Sequence, residues 1–276
     1  MMDFVMAKQR KRPDEMISLY DSPVSPCCMK VRLCLKEKGL DYESVPVDLG
    51  GKANLEDSYL RLNPKGVVPT LVDDGSAIIE STLINEFLDE KYPSIPLKPA
   101  AAEEKVEMRL WTKFIDEELH PANGAVIWPI LSLERLSKQD PDEVIKALSR
   151  HPDPKRVARQ TAIFREGYVA PVVGEGLRVF VKMLEKAETS LQDRDYLAAD
   201  DISLADIGLL PYVNEVVHFG LSPMIADKPK TSDWFKRMSA RDSYSQAIAS
   251  VLEQSQWDAI AERGSKAWTE MQRHLE

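Results

Sequence analysis

A proline at position 69 falls inside a short apolar run, Val67-Val68-Pro69-Thr70-Leu71-Val72, set directly behind Asn63-Pro64-Lys65-Gly66. Proline has no N–H to give to a sheet ladder, so Pro69 marks the first residue of a strand and not its middle. An X-Pro bond is also the one linkage at which the cis form costs little, and the sequence leaves the isomer open. In the cis form the carbonyl and amide of Val68 face outward as an unpaired extended edge. Such an edge can hold a short peptide through two backbone hydrogen bonds.

The segments around this proline alternate strand and helix signals. Ile17-Ser18-Leu19-Tyr20 reads as a strand, and Cys28 to Lys38 as a helix with Val31, Cys34 and Leu35 on one face and Gly39 at the expected C-terminal cap. Tyr42 to Asp48 reads as a second strand, with Pro46 hinting at an edge position, and Leu55 to Leu62 as a short helix. Thr70 to Asp73, the turn Asp74-Gly75-Ser76 and Ala77 to Ile79 form a hairpin. Ser81 or Thr82 then caps a helix reaching about Tyr92, with Leu83, Ile84, Phe87 and Leu88 spaced for burial. This order implies a mixed four-stranded sheet with a right-handed crossover, a thioredoxin-like α/β domain over residues 16–93.

Residues 94–102 form a proline-punctuated linker, and beyond it strand signals nearly vanish, so residues 103–276 are expected to be an all-α domain. Glu103 to Leu119 is strongly helical, with Val106, Leu110, Phe114 and Ile115 directed at a core. Further helices are expected from Pro171 to Leu191, from the capping pair Ser203 and Asp206 onward, over Trp234 to Met238, Tyr244 to Leu252, and Trp257 to His274. Ser132 to Glu166 is charged and carries Pro141, Pro152 and Pro154. It reads as an insertion over the cleft or a mobile loop, with one short helix near Asp142 to Ser149.

A net charge of -9 argues against general nucleic-acid binding, which needs clustered cations. The basic cluster Lys8-Gln9-Arg10-Lys11-Arg12 is expected to belong to a flexible tail, residues 1–15. No run is long enough to span a membrane and Met1 to Glu15 is too polar for a signal peptide, so a cytoplasmic location is expected. Cys27, Cys28 and Cys34 share one segment and are not distributed as a disulfide framework. The scattered histidines His120, His151, His218 and His274 give no zinc-ligand spacing, so no metal is expected.

Taken in order, Ile17-Ser18-Leu19-Tyr20, then Ser22-Pro23-Val24-Ser25-Pro26-Cys27-Cys28-Met29-Lys30-Val31-Arg32, then Val68-Pro69, then Glu80-Ser81 resemble the glutathione-binding half of the cytosolic glutathione transferases. The resemblance extends over nearly the whole chain after residue 15. Within that superfamily the chain is similar to the bacterial group containing the lignin-degrading β-aryl etherases. Three stretches carry the narrower likeness: Asn63 to Pro69, the helix Glu107 to Glu117 with its Trp111-Thr112-Lys113, and Tyr196-Leu197 followed by Ser203-Leu204-Ala205-Asp206-Ile207.

The resemblance implies glutathione as co-substrate, a hydrophobic, aromatic small molecule as electrophile, and a homodimer. An ordinary thiol with a pKa near ~8.5 is only a few per cent thiolate at neutral pH, and one hydroxyl donor with a helix N-terminus can correct this. Ser25, by analogy with the serine-type transferases, would donate its hydroxyl to the glutathione sulfur. Cys27 and Cys28 compete with it, since a thiol at a helix start is itself acidified and can form a mixed disulfide with glutathione. In the etherases an Asn-Ser pair falls where Cys27-Cys28 stands here. Cys34 reads as core.

Glu80 would pair with the γ-glutamyl amino group, and Ser81 with its helix amides would hold the adjoining carboxylate. Val68, kept exposed by Pro69, would bind the cysteinyl backbone, and Lys52 or Lys65 the glycyl carboxylate. His120, Asn123, Trp128 and the Trp257 region are the expected walls of an electrophile site between the domains. The activity expected is attack of the glutathione thiolate on a hydrophobic electrophile, with β-aryl ether cleavage as its narrowest form. Thiol-disulfide or lyase chemistry at Cys27 or Cys28, and a non-catalytic binding protein of the same fold, are the alternatives.

Overall fold

The computed structural model describes residues 16–276; the basic cluster and the expected tail lie outside the described residues. The first half builds one sheet in the order β2-β1-β3-β4. Strand β1 (Ile17–Asp21) pairs in parallel with β2 (Tyr42–Pro46) and antiparallel with β3 (Thr70–Asp73), which forms a hairpin with β4 (Ser76–Ile79). Leu19 sits opposite Ser44 on one side and Leu71 on the other, so two fully buried leucines occupy the centre of the sheet. Pro46 ends the edge strand β2, where its missing donor costs nothing. Asp74 and Gly75 both take positive φ (48° and 76°), the mirror-image turn that matches the twist of a two-residue hairpin.

Helix α1 (Pro26–Glu37) is the pivot of the molecule. Pro26 is preset for the first helical position and Ser25 caps it, accepting a hydrogen bond from the Cys28 amide at 3.4 Å. One side of α1 packs near α3 (Ser81–Lys91) and the other meets α9 (Leu204–His218) and α11 (Asp242–Ala247). That is why even Lys30 and Arg32 are buried. Arg32 is fully partnered: it holds Asp21 at 2.6 Å and donates to the carbonyls of Ala247, Ser22 and Pro23, fastening the loop before α1 to both halves of the chain.

Several expectations change. The segment expected to be one short helix at Leu55 to Leu62 is a 3-10 turn, Ala53–Leu55, followed by α2 (Asp57–Leu60). Neither Ser81 nor Thr82 is the cap of α3; Glu80 stands at that position without a side-chain cap bond, and Ser81 is the first helical residue. Leu83 was expected to be buried and is 59% exposed.

The helical half also departs from the pattern reading. Helix α4 (Ala102–Phe114) buries Met108, Trp111 and Thr112, and Ile115 follows on the same stripe, whereas Val106 and Leu110 are 56% and 50% exposed. The apolar stripe runs through 108, 111, 112 and 115, and Val106 and Leu110 lie off it. After a wide π-type turn at Ile115–Leu119 the chain continues as α5 (His120–Leu136). Pro121 has no amide to return to the preceding turn, which accounts for the widening there. The stretch read as a loop with one helix is the end of α5, then α6 (Pro141–Leu148) and α7 (Pro154–Glu166). Both of the latter start with an aspartate cap and a proline at the first position, Asp140-Pro141 and Asp153-Pro154. Helices α8 (Pro171–Ser190), α9, α10 (Pro229–Ser239), α11 and α12 (Gln254–Met271) complete the bundle. Asp206, fully buried, accepts from the Leu197 and Ser203 amides and from Trp234 Nε1, so the capping box of α9 also anchors α10.

Candidate functional site

The Val68-Pro69 bond is cis, and among the described residues the Val68 amide and carbonyl make no hydrogen bond, while the Val67 carbonyl is taken by Tyr59 and Asn63. The unpaired backbone edge is therefore confined to one residue beside β3. At the start of α3, Glu80 has φ +69°, and Lys52 has φ +67°. Each departs from ordinary side-chain-bearing backbone at a cost of about 1–3 kcal/mol, and such outliers concentrate at binding sites. The only other non-glycine residue of this kind among the described ones is Asp74, explained by its hairpin turn.

Lys65 Nζ lies 2.7 Å from Glu80 Oε1 on the surface. Lys65 is thus already paired with Glu80. Lys52, half-buried, faces a different set of charges: Arg156, Arg135 and Arg150 lower its pKa, after burial itself.

Cys27, the second residue of α1, points across to the helical half, where its Sγ lies 3.5 Å from His120 Nδ1 and 3.7 Å from Nε2. His120 Nδ1 is in turn 3.1 Å from the Tyr212 hydroxyl of α9. Burial works against the Cys27 thiolate, but the charge and hydrogen bond of His120, the Lys30 ammonium and the Ser81 hydroxyl outweigh it, bringing the thiol down from 9.0 to about 6. Lys30 is held in place by Thr82 at 3.1 Å and Asp116 at 3.2 Å. Burial, followed by the neighbouring Cys27, keeps Tyr212 a neutral phenol.

The two remaining candidates at the start of α1 are arranged differently. Cys28 is completely buried, and burial with the Asp21 carboxylate pushes its thiol well up, so it stays protonated. Ser25 accepts from the Cys28 amide, keeps its own O–H to donate, and lies against the Cys28 thiol, whereas the hydroxyl beside the Cys27 sulfur belongs to Ser81. Cys34 is core, as its helical spacing predicts.

Of the expected wall residues, His120 meets Cys27 directly. Asn123, one turn further along α5, is buried and donates to Glu215 of α9. Glu215 is wholly buried with Oε1 unpartnered, and burial, opposed by Asn123, pushes its carboxyl well up; it is a neutral acid beneath the His120–Tyr212 pair. Trp128 packs between the main core and Leu136, Val144 and Leu148, and Trp257 stacks on His218 and Phe219, so both serve helix packing.

Comparison with known proteins agrees with this architecture. Residues 19–99 match the glutathione S-transferase N-terminal domain, and residues 156–242 match the glutathione S-transferase C-terminal domain. The maleylacetoacetate isomerase of Pseudomonas aeruginosa is 30% identical over 209 residues, covering 75% of this chain and 84% of that protein. The chain belongs to the glutathione S-transferase family. Its relatives in that family include glutathione S-transferase 3 of Zea mays, 29% identical over 85% of this chain and 94% of that one. Protein LigF of Sphingobium is 28% identical over 90% of this chain and 97% of its own length. The crystal structure of β-etherase LigF superimposes with a TM-score of 0.76 at 27% identity, covering 84% of this chain and 98% of that one. The chain is thus a glutathione transferase with a thioredoxin-like domain and an all-helical domain, and glutathione is the family's co-substrate.

Lys30, Tyr212, Glu215, Arg156 and Arg159 were not singled out by sequence. For one of them a signal exists: Glu215 is the lone acid in the second half of the apolar helix α9.

Proposed function

We propose that this transferase carries a glutathionyl group on Cys27. The observation that carries the reading is the Cys27 sulfur held 3.5 Å from His120 between the two halves, with the Ser81 hydroxyl beside it. Glutathione would lie with its cysteinyl backbone on Val68, its γ-glutamyl amino group at Glu80, the adjoining carboxylate at Ser81 and the α3 amides, and its glycyl carboxylate toward Lys52. Its sulfur then falls beside Cys27. The Cys27 thiolate attacks the glutathione sulfur of a mixed disulfide, the Cys27–glutathione disulfide forms, and the other thiolate leaves and takes up a proton. A second glutathione thiolate attacks that disulfide, releasing oxidised glutathione and restoring Cys27. The same attack on a glutathione thioether next to a carbonyl expels an enolate in place of a thiolate.

A second reading, attack by glutathione's own thiolate on a hydrophobic aromatic electrophile including a β-aryl ether, is favoured by the likeness to LigF. There Ser25 would be the hydroxyl donor. Steady-state rates of Cys27→Ser and Ser25→Ala with a glutathione mixed disulfide and with a β-aryl ether separate the two. The first reading requires disulfide turnover lost in Cys27→Ser and kept in Ser25→Ala; the reverse pattern, with ether cleavage intact in Cys27→Ser, supports the second. Binding without turnover of either would leave only a glutathione-fold binding protein.

We place the protein in the cytoplasm as a homodimer. No helix among the described residues is long and apolar enough to cross a membrane, and the three cysteines are free thiols. Leu83, Val106 and Leu110 give α3 and α4 an exposed apolar face on either side of the Arg109–Glu86 pair, suited to a second copy.

A further inference from the structure

We infer that Arg156 and Arg159 of α7 form a receptor for an anionic group on the substrate, a carboxylate or its like, placed one helical turn along α5 from the residue that touches the reacting sulfur. The inference rests on the glutathione reading above and adds the chemistry of the other half of the substrate. Arg159 lies flat against α5 at Gly124: a side chain there would come within 2.6 Å of the guanidinium. Gly124 stands four residues after His120, on the same stripe of the helix and about 6 Å along its axis. The residue that touches Cys27 and the glycine that seats Arg159 therefore line one wall of the cleft, and glycine is what lets the guanidinium approach it.

The charges here are compensated only in part, by Asp153, which acts on both Arg156 and Arg159. Among the described residues Arg156, Arg159, Lys52, Arg135 and Arg150 take part in no ion pair, although most cations elsewhere on the molecule do. Arg156 and Arg159 are half-buried, and Arg159 Nε is a buried donor with no partner. The nearest acid, Asp153, uses Oδ1 to cap α7 at the Lys155 amide. His151 accepts from the Asp153 amide through Nδ1, and its Nε2 is buried without a partner. Burial first, then the Arg156 charge, holds His151 down to about 4, so it is neutral and adds no further cation. Arg156 also lies within reach of the Cys27 charge. Half-buried guanidiniums with free donors are unfavourable unless an anion completes them, and their planar fork fits a carboxylate. Lys52 belongs to the same group of cations, with Arg156 foremost among the charges acting on it; the glutathione reading gives it the glycyl carboxylate, which leaves the two arginines for a second anion.

The test compares two inert ligands, S-(4-carboxybenzyl)glutathione and S-(4-methylbenzyl)glutathione, which share the tripeptide and differ in one charged group. Binding to the full chain is measured by titration calorimetry for the wild type, Arg156→Gln and Arg159→Gln, and for the wild type from low to high salt. The carboxylated ligand should bind on the order of tenfold more tightly, with the ratio falling toward one in each variant and at high salt. Only the ratio within a variant is read, so a general loosening of the cleft does not imitate the effect. A ratio near one in the wild type, or a ratio unmoved by both substitutions, overturns the inference. If both ligands weaken equally in the variants, the arginines hold the glycyl carboxylate and the inference also falls. If neither ligand binds the wild type, the glutathione reading itself fails.

Discussion

Replacing His120 by glutamine tests the electrostatic core of the site. In the wild type the Cys27 thiol is brought from 9.0 to about 6, a drop equivalent to about 4 kcal/mol of preference for the thiolate. Burial is the largest single influence and opposes that drop, so the lowering groups together supply more than the net amount. His120 leads them, ahead of Lys30 and Ser81. With glutamine the charge is lost while burial remains, and the inflection should return to roughly 8–9. At pH 7 the thiolate fraction would fall from about 90% to about 1–10%, and alkylation by iodoacetamide should slow by about tenfold or more. The assay is the alkylation rate of Cys27 from pH 4 to pH 10, read by mass spectrometry of its peptide; buried Cys28 and Cys34 stay protonated and silent. An inflection that stays near 6 in His120→Gln would refute the reasoning and assign the acidification to Lys30 and the start of α1.

The same thiol predicts a pH dependence of stability. Between about pH 6 and 9 the unfolded Cys27 holds a proton that the folded one has released, so the unfolding free energy of the wild type relative to Cys27→Ser should rise with pH through that window and be absent below it; denaturant titrations at successive pH values check this. Asp206→Ala strips the partner from two buried amides and Trp234 Nε1, and should cost about 3 kcal/mol or more, seen as a melting temperature lower by roughly 6–12 °C. Val106→Asp places a charge on the exposed apolar face of α4 and should convert a dimer to monomers by light scattering with little loss of helix content; a dimer that persists would move the interface elsewhere.

The strand and helix order of the first half was legible because each element carries its own punctuation: Pro26 with Ser25 at the start of α1, Gly39 after it, Asp74-Gly75 in the hairpin, and Pro69 before β3. The later half was less so. Helix α6 matches the one short helix expected near Asp142 to Ser149, whereas α7 is charged and its Asp153-Pro154 start, close behind Pro152, reads equally well as loop chemistry. Val106, Leu110 and Leu83 were assigned to the core because a hydrophobic residue on a helix was equated with an inward one, although a two-domain protein has other surfaces to cover. Cys27 and His120 were each named, but their meeting was not, since they are 93 residues apart and the contact exists only once the helical bundle is docked on α1.

That docking is what the chemistry depends on. Cys27, Lys30 and Ser81 belong to the thioredoxin-like half, and His120, Tyr212, Asn123 and Glu215 to the helical half. Helices α5 and α9 face each other in two rungs, His120 to Tyr212 and, one turn on, Asn123 to Glu215. The lower rung is buried and holds a neutral acid, so Glu215 adds no anion beside the thiolate, and Asp116 is the carboxylate that shares Lys30 with it. The relative position of the halves is in turn fixed by polar clamps around α1: Arg32 to the Ala247 carbonyl, Glu37 to Arg241 and Ser243, and Lys30 to Asp116. A substitution that loosens one of these clamps, such as Glu37→Gln, leaves every residue around the sulfur unchanged and should still draw His120 away from it, read as a higher inflection in the Cys27 alkylation profile. The thiol should then become less acidic without any change to its immediate neighbours, which distinguishes a site assembled by domain packing from one contained within the first domain.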